Sequence, residues 1–250
     1  MDSNKLIPNI YHFIYNPEKS NNSDIEIYKY FCIKSIIELN NPEIIYFHYT
    51  HLPDGKLWNN IKESLILKNL GLLNLNNINT KNVILFKFLM DYGGIYIDFN
   101  TLCLKPLKEL LKYNFFNSLN NYIIGSEKNS YMAFKYFEYY LKNTKFNENY
   151  GIKNINGKII NNYFINNLNY DDSLDNLTNI VSKEIIDYTF GSYFHLIKNC
   201  YFINLSKVNN ILLNSNLFTI FNKITIYNLL IRHILTYKLL YNNEKKKRYN

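Results

Sequence analysis

Short apolar runs bounded by Asn, Pro and Gly alternate along the chain with longer stretches in which apolar residues recur at helical spacing. Residues 7–15 (IPNIYHFIY) read as a first strand, with Pro8 at the entry, where no ladder donor is missed. Asn16-Pro17 turns the chain, and Ser23 or Asp24 is placed to cap a helix over 25–39 that Asn40-Asn41-Pro42 ends. A second strand spans 43–48, and Pro53-Asp54-Gly55 marks a turn. A helix is expected over 57–68 and a short third strand within 70–75. Thr80 or Asn79 caps a further helix that runs to Tyr92, and a strand follows over 95–97. Beyond it come a short helical piece after Pro106-Leu107, a strand over 122–126 and an aromatic-rich helix over 131–142. The turn-rich segment 144–179 shows no clear element boundaries; a late strand over 193–197 and a closing helix over 224–241 complete the pattern. Strands alternating with helices predict an α/β sheet with helices on its faces, in one domain over 1–241 with a helical C-terminal segment.

The stretch from Lys87 to Asn100 (KFLMDYGGIYIDFN) carries the chemistry. Gly93 suits the residue that ends a helix, and Gly94 lets the backbone turn tightly into a strand too short to be anything but central. In an extended chain Asp98 and Asn100 fall on one side, and two oxygen-bearing side chains at the end of a buried strand can hold a hard divalent cation. Such a pattern after a strand is more often an ordinary turn with local side-chain capping. Neighbouring residues alone leave both readings open.

Charge and cysteines narrow the field. The formal net charge is +8, but Lys245-Lys246-Lys247-Arg248 contributes half of it, in a basic tail over 242–250. The remaining lysines are scattered, which argues against nucleic acid as a partner. The tail and the closing helix together suit, at most, a peripheral contact with an anionic membrane. The 3 cysteines, Cys32, Cys103 and Cys200, show neither a disulfide framework nor zinc-ligand spacing, consistent with a reducing compartment. No signal-like leader and no spanning apolar run is visible, so a cytoplasmic location is expected.

Tyr92-Gly-Gly-Ile-Tyr-Ile-Asp-Phe-Asn100 followed by Leu104-Lys-Pro-Leu107 resembles the sugar-binding region of the DXD-motif glycosyltransferases of family 32. Four further segments fall in that family's order: residues 7–15; Cys32-Ile-Lys-Ser35 with Asn41-Pro42; Ile45-Tyr-Phe-His48 with Leu52-Pro-Asp-Gly55 and Trp58; and Ser192-Tyr-Phe-His-Leu196. Together they cover roughly residues 5 to 200, and collinear matches are much harder to obtain by chance than one short motif. The resemblance implies a GT-A fold, a Rossmann-like mixed sheet flanked by helices. It also implies transfer of a hexosyl or N-acetylhexosaminyl group, with retention, from a UDP- or GDP-sugar donor to a glycan or glycoprotein acceptor. A divalent cation, Mn²⁺ or Mg²⁺, would assist. Carried over by position, Asp98 contacts ribose and metal, Asn100 stands where the second aspartate binds metal, and His195 lies near diphosphate and metal. Phe13, Ile14 and Tyr15 lie against the base. Asn82, Lys87, Gly94 and Tyr96 complete the donor-site set.

This chain departs from the family pattern at three places. Asn100 replaces an aspartate, so a neutral amide oxygen stands where a carboxylate would. The helix that normally carries Ser-Asp-x-x-Arg reads Lys81-Asn82-Val83-Ile84-Leu85, without the aspartate or the arginine. Lys87 is the residue expected to supply part of the lost positive charge, without the arginine's bidentate geometry. The tryptophan expected after the late histidine is absent, since Leu196-Ile197-Lys198 stands there. A degenerate member that binds a nucleotide sugar or glycan without catalysis is therefore the alternative reading.

Overall fold

The structure is a computed structural model. It describes residues 6–17, 24–71, 73, 75–118, 122–142, 164–166, 170–171, 201–205 and 228–236. The late strand 193–197 with His195, together with Cys200, the tail 242–250, both ends of the closing helix and most of 144–179, lies outside the described residues. In chain order the elements begin β1 (Ile10–Tyr15), α1 (Ile27–Asn40), β2 (Ile44–Tyr49), α2 (Lys56–Asn59) and β3 (Ile66–Asn69). Then come α3 (Ile78–Tyr92), β4 (Gly94–Ile97), β5 (Thr101–Cys103), β6 (Phe115–Asn117), β7 (Ile123–Ser126) and α4 (Tyr131–Lys142). The short strands β8 (Phe164–Asn166), β9 (Tyr170–Asp171) and β10 (Phe202–Asn204) follow, with a helix α5 over 228–236.

The described residues fall into two compact units. The first comprises Met1–Asp24, Pro42–Asp98 and Leu107–Leu168. Its 7-stranded sheet has the order β3-β2-β1-β4-β7-β6-β8. β3, β2, β1 and β4 run parallel to one another, β7 is antiparallel to both its neighbours, and β8 is parallel to β6. β4 is buried at every position because it lies between β1 and β7. One layer of core is built from Ile14 and Tyr96 of the sheet, Leu85, Phe86 and Leu89 of α3, and Ala133, Tyr136 and Tyr140 of α4. Phe86 and Tyr136 stack at 4.9 Å between ring centroids, and Phe115 stacks on Tyr136 at 5.6 Å. That pairing of α3 with α4 explains why the aromatic-rich stretch becomes a helix over the expected Tyr131–Lys142.

The second unit comprises Ile25–Asn41, Phe99–Pro106 and Asn169–Asn250. It holds α1, a 3-stranded sheet of order β5-β10-β9, and α5. Within it Ser35 Oγ accepts from the Cys103 N–H at 3.2 Å, and Cys32 Sγ donates to the Phe99 carbonyl at 2.9 Å.

Three local expectations are corrected. The helix expected over 57–68 stops after Asn59; a 3-10 turn over Lys62–Ser64 follows, and Ile66–Asn69 pairs parallel with β2 as the third strand. Filling the open edge of β2 with backbone hydrogen bonds outweighs the helical spacing of those apolar residues. Asp24 does not cap α1, which begins at Ile27 behind Glu26 without a side-chain cap bond. Its two carboxylate oxygens accept instead from the Leu57 and Trp58 N–H groups at 2.8 and 2.9 Å, at the start of α2. Asn77, two residues before the expected cap, accepts from the Asn79 and Thr80 N–H groups and starts α3.

Candidate donor site

The strand order places a topological switch point between β1 and β4. From β1 the chain moves outward through β2 and β3, then returns across β1 to lay down β4 on its other side. In parallel α/β sheets ligands bind in the crevice outside the carboxyl ends of the strands at such a point. The residues at those ends here are Asn16 after β1 and Asp98 after β4. Asn16 belongs to a polar network: its Nδ2 donates to Asn76 Oδ1 at 2.8 Å, and Thr50 Oγ1 donates to its Oδ1 at 2.9 Å.

The glycine pair sets the height of Asp98. The Gly93 N–H donates to the Leu89 carbonyl and closes α3. Gly94 has φ +105°, and a Cβ there would stand 2.5 Å from the Ile10 carbonyl oxygen. Only glycine lets β4 come this close to β1. Four buried residues later the chain reaches Asp98, whose N–H donates to the Tyr122 carbonyl at 2.8 Å.

Asp98 Oδ2 accepts from two donors, Lys81 Nζ at 3.2 Å and the Tyr96 hydroxyl at 3.2 Å. The Lys81 ammonium also sits 5.8 Å from the centre of the Tyr96 ring. Both ends of the ion pair keep some solvent contact, with side-chain exposures of 26% for Lys81 and 16% for Asp98. Tyr96 and then the Asp98 carboxylate hold Lys81 well above the ordinary lysine range, against the opposing effect of burial. Lys81 is therefore a fixed positive charge at any physiological pH. Burial above all pushes the Tyr96 hydroxyl up, so it stays a neutral donor.

The other expected site residues are distributed as follows. Lys87 does not turn towards Asp98; it is half exposed and pairs with Asp91 one helical turn on. The cation that reaches Asp98 comes from Lys81, six residues earlier, which motif matching passes over because the family pattern has a serine there. Leu85, at the arginine position, is buried in the core. Asn82 is buried on α3. Phe13, Ile14 and Tyr15 are buried side chains of β1: Ile14 sits in the core layer and the Tyr15 ring lies 5.4 Å from Phe47. Asn100 follows Asp98 through a turn at 99–100 and not in extended chain, so strand alternation does not align the two side chains. Its carbonyl accepts from the Leu205 N–H at 2.6 Å in the second unit. His195 lies outside the described residues.

A histidine pair supports the glycine hinge from within the sheet. His12 Nε2 donates to the Gly93 carbonyl at 2.8 Å, which leaves Nδ1 to accept from His48 Nε2 at 3.1 Å. Both rings are fully buried among Tyr46, Phe88 and Tyr92. Burial, opposed in part by the Gly93 bond, lowers His12 to about 4. Burial together with the neighbouring His12 and Lys68 lowers His48 to about 2. The neutral pair is a structural brace.

Residues 19–117 match the family model described as "Glycosyltransferase sugar-binding region containing DXD motif". Glucan organizing enzyme 1 of Cryptococcus neoformans var. grubii is 32% identical over 119 residues, 43% of this chain and 32% of that protein. The chain thus spans about a third of the length of this curated relative. Among solved structures, the apo form of the glycosyltransferase GlyE of Streptococcus pneumoniae superposes with a TM-score of 0.51 at 9% identity, over 92% of this chain and 63% of that one. The galactosyltransferase LgtC, solved with donor and acceptor sugar analogues, gives a TM-score of 0.46 at 9% identity, over 83% of this chain and 96% of that one. Over residues 19–117 the chain is thus similar to the sugar-binding region of the DXD-motif glycosyltransferases, with the motif written here Asp98-Phe99-Asn100, and its fold is of the GT-A kind.

Proposed function

We propose that the chain transfers a sugar from a UDP- or GDP-sugar to a glycan acceptor with retention of anomeric configuration, as a single glycosyltransferase domain over 1–241. The observation that carries this reading is the Asp98–Lys81–Tyr96 cluster at the carboxyl end of β4, beside the switch point of the parallel strands. The glucan in the name of the Cryptococcus relative supports a polysaccharide acceptor. In the transfer, the bond from the sugar C1 to the diphosphate oxygen breaks with its electron pair leaving on that oxygen. The acceptor hydroxyl oxygen bonds to C1 from the same face, and its proton passes to the departing diphosphate. A fixed cation beside the diphosphate stabilises the charge that develops there.

The described residues fit a divalent cation poorly, because the motif keeps one carboxylate, Asp98. Asp98 Oδ2 is already shared by an ammonium and a hydroxyl. A unit charge about 4 Å from another of like sign costs roughly 4 kcal/mol at an effective dielectric of about 20, and a divalent ion about twice that. No step of the transfer is therefore assigned to a metal.

Differential scanning fluorimetry tests the donor site. UDP or GDP at about 100 times its dissociation constant stabilises by about 2.7 kcal/mol, and Asp98→Ala removes most of the shift. No shift with any nucleoside diphosphate, with or without Mn²⁺, refutes the reading. The second reading, a nucleotide-sugar binder without catalysis, is favoured by Leu85, which buries an apolar side chain where the family has its donor-handling arginine. Binding without turnover of any sugar nucleotide selects it.

A further inference from the structure

We infer that Lys81 is the diphosphate-binding cation of this site, taking the place that a metal ion has elsewhere in the family, so that donor binding is metal-independent. The inference rests on the donor-site reading above and names the group that meets the diphosphate. Three features place Lys81 in that role. It lies in the first turns of α3, where backbone N–H groups add positive potential, behind a cap formed by Asn77. Its ammonium is held by Asp98 and lies over the Tyr96 ring, so the charge is anchored at the carboxyl end of β4. It still keeps 26% exposure, and of the three donors of an ammonium one is given to Asp98 among the described residues, so the group can also donate to an incoming phosphate oxygen.

The anchoring matters as much as the charge. A surface lysine is a mobile point charge, and ordering its stem costs side-chain entropy on binding. Here that cost is met in the folded protein by Asp98 and Tyr96. The loss of the second aspartate follows the same logic: with a cation built into the chain, a second carboxylate would only draw Lys81 away from the phosphates. Asp98 remains as the group that aims it.

The test is binding by calorimetry in EDTA and in Mn²⁺, with UDP, GDP, uridine and guanosine as probes. It uses the wild-type chain, Lys81→Arg, Lys81→Met and the double variant Lys81→Met/Asp98→Asn, which removes both charges together and guards against misfolding of the single variant. The inference predicts that UDP or GDP binds in EDTA and that Mn²⁺ changes the affinity less than about twofold. Lys81→Met then loses at least about tenfold for the diphosphate and nothing for the nucleoside, the double variant loses at least as much for the diphosphate, and Lys81→Arg keeps part of the difference. A purely structural ion pair would weaken both probes alike. Diphosphate binding that needs Mn²⁺ and is unchanged in the Lys81 variants overturns the inference and leaves the donor-site reading standing. Absence of diphosphate binding under every condition overturns both.

Discussion

Replacing His12 by Phe tests how the hinge that raises Asp98 is held. The phenyl ring keeps the contacts with Tyr46, His48 and Phe88 but removes the donor to the Gly93 carbonyl and the acceptor for His48 Nε2. Both orphaned groups are buried, and each costs about 1–3 kcal/mol. Relief from burying a polar ring offsets part of this, leaving a loss of about 2–4 kcal/mol. In a chain of this size that lowers the melting temperature by about 6–12 °C. His48→Phe orphans only an acceptor, His12 Nδ1, and removes the buried His48 Nδ1 that has no partner, so it costs about 1 kcal/mol or less. The double variant leaves only the Gly93 carbonyl unpaired and loses less than the two single losses added. Urea unfolding followed by circular dichroism measures all three. Equal losses at His12 and His48, or additivity in the double variant, would refute the tautomer assignment.

The same pair fixes a pH dependence. Its folded values lie below the ordinary histidine value of 6.5, at about 4 for His12 and about 2 for His48, so the unfolded chain binds more protons between those limits. Stability from the pair is complete above about pH 6.5 and falls as the solution is acidified, by about 1.4 kcal/mol per histidine per pH unit until about pH 4. His12→Phe/His48→Phe flattens that slope, and urea midpoints at pH 7 and pH 5 read it directly.

Two further substitutions probe the frame around the site. Gly94→Ala forces a Cβ against the Ile10 carbonyl at a φ that L-residues rarely adopt, and is expected to cost about 3 kcal/mol in urea unfolding and to abolish UDP or GDP binding with it. Asp24→Ala orphans two N–H groups at the start of α2 and is expected to lower stability by about 1–2 kcal/mol without changing nucleotide affinity.

The parts of the fold legible in the sequence are those where local pattern and tertiary demand agree. The run from β1 to β2, the glycine hinge, the buried β4 and α4 all occur close to where apolar spacing and turn residues put them. The misses arise where a distant partner decides. Residues 66–69 look helical in isolation, yet β2 needs a parallel neighbour, and Asp24 serves a helix more than thirty residues away. At the site, Asp98 was legible from the glycine pair and the short strand that follow one another in sequence. Lys81 was not, because its contact with Asp98 spans a helix and a strand, and its charge stands at a position where the family motif has a serine. Lys87 looked like the replacement cation only on helical spacing, and an acidic partner four residues on claims it.

Activation of a sugar nucleotide at this site is read from release of UDP or GDP from a panel of common sugar nucleotides, followed by a coupled assay in wild type and Asp98→Ala. Slow hydrolysis of at least one donor by the wild-type chain is expected, stimulated by a glycan acceptor and lost in Asp98→Ala. Release that is absent for every donor, or equal in the two proteins, would contradict it.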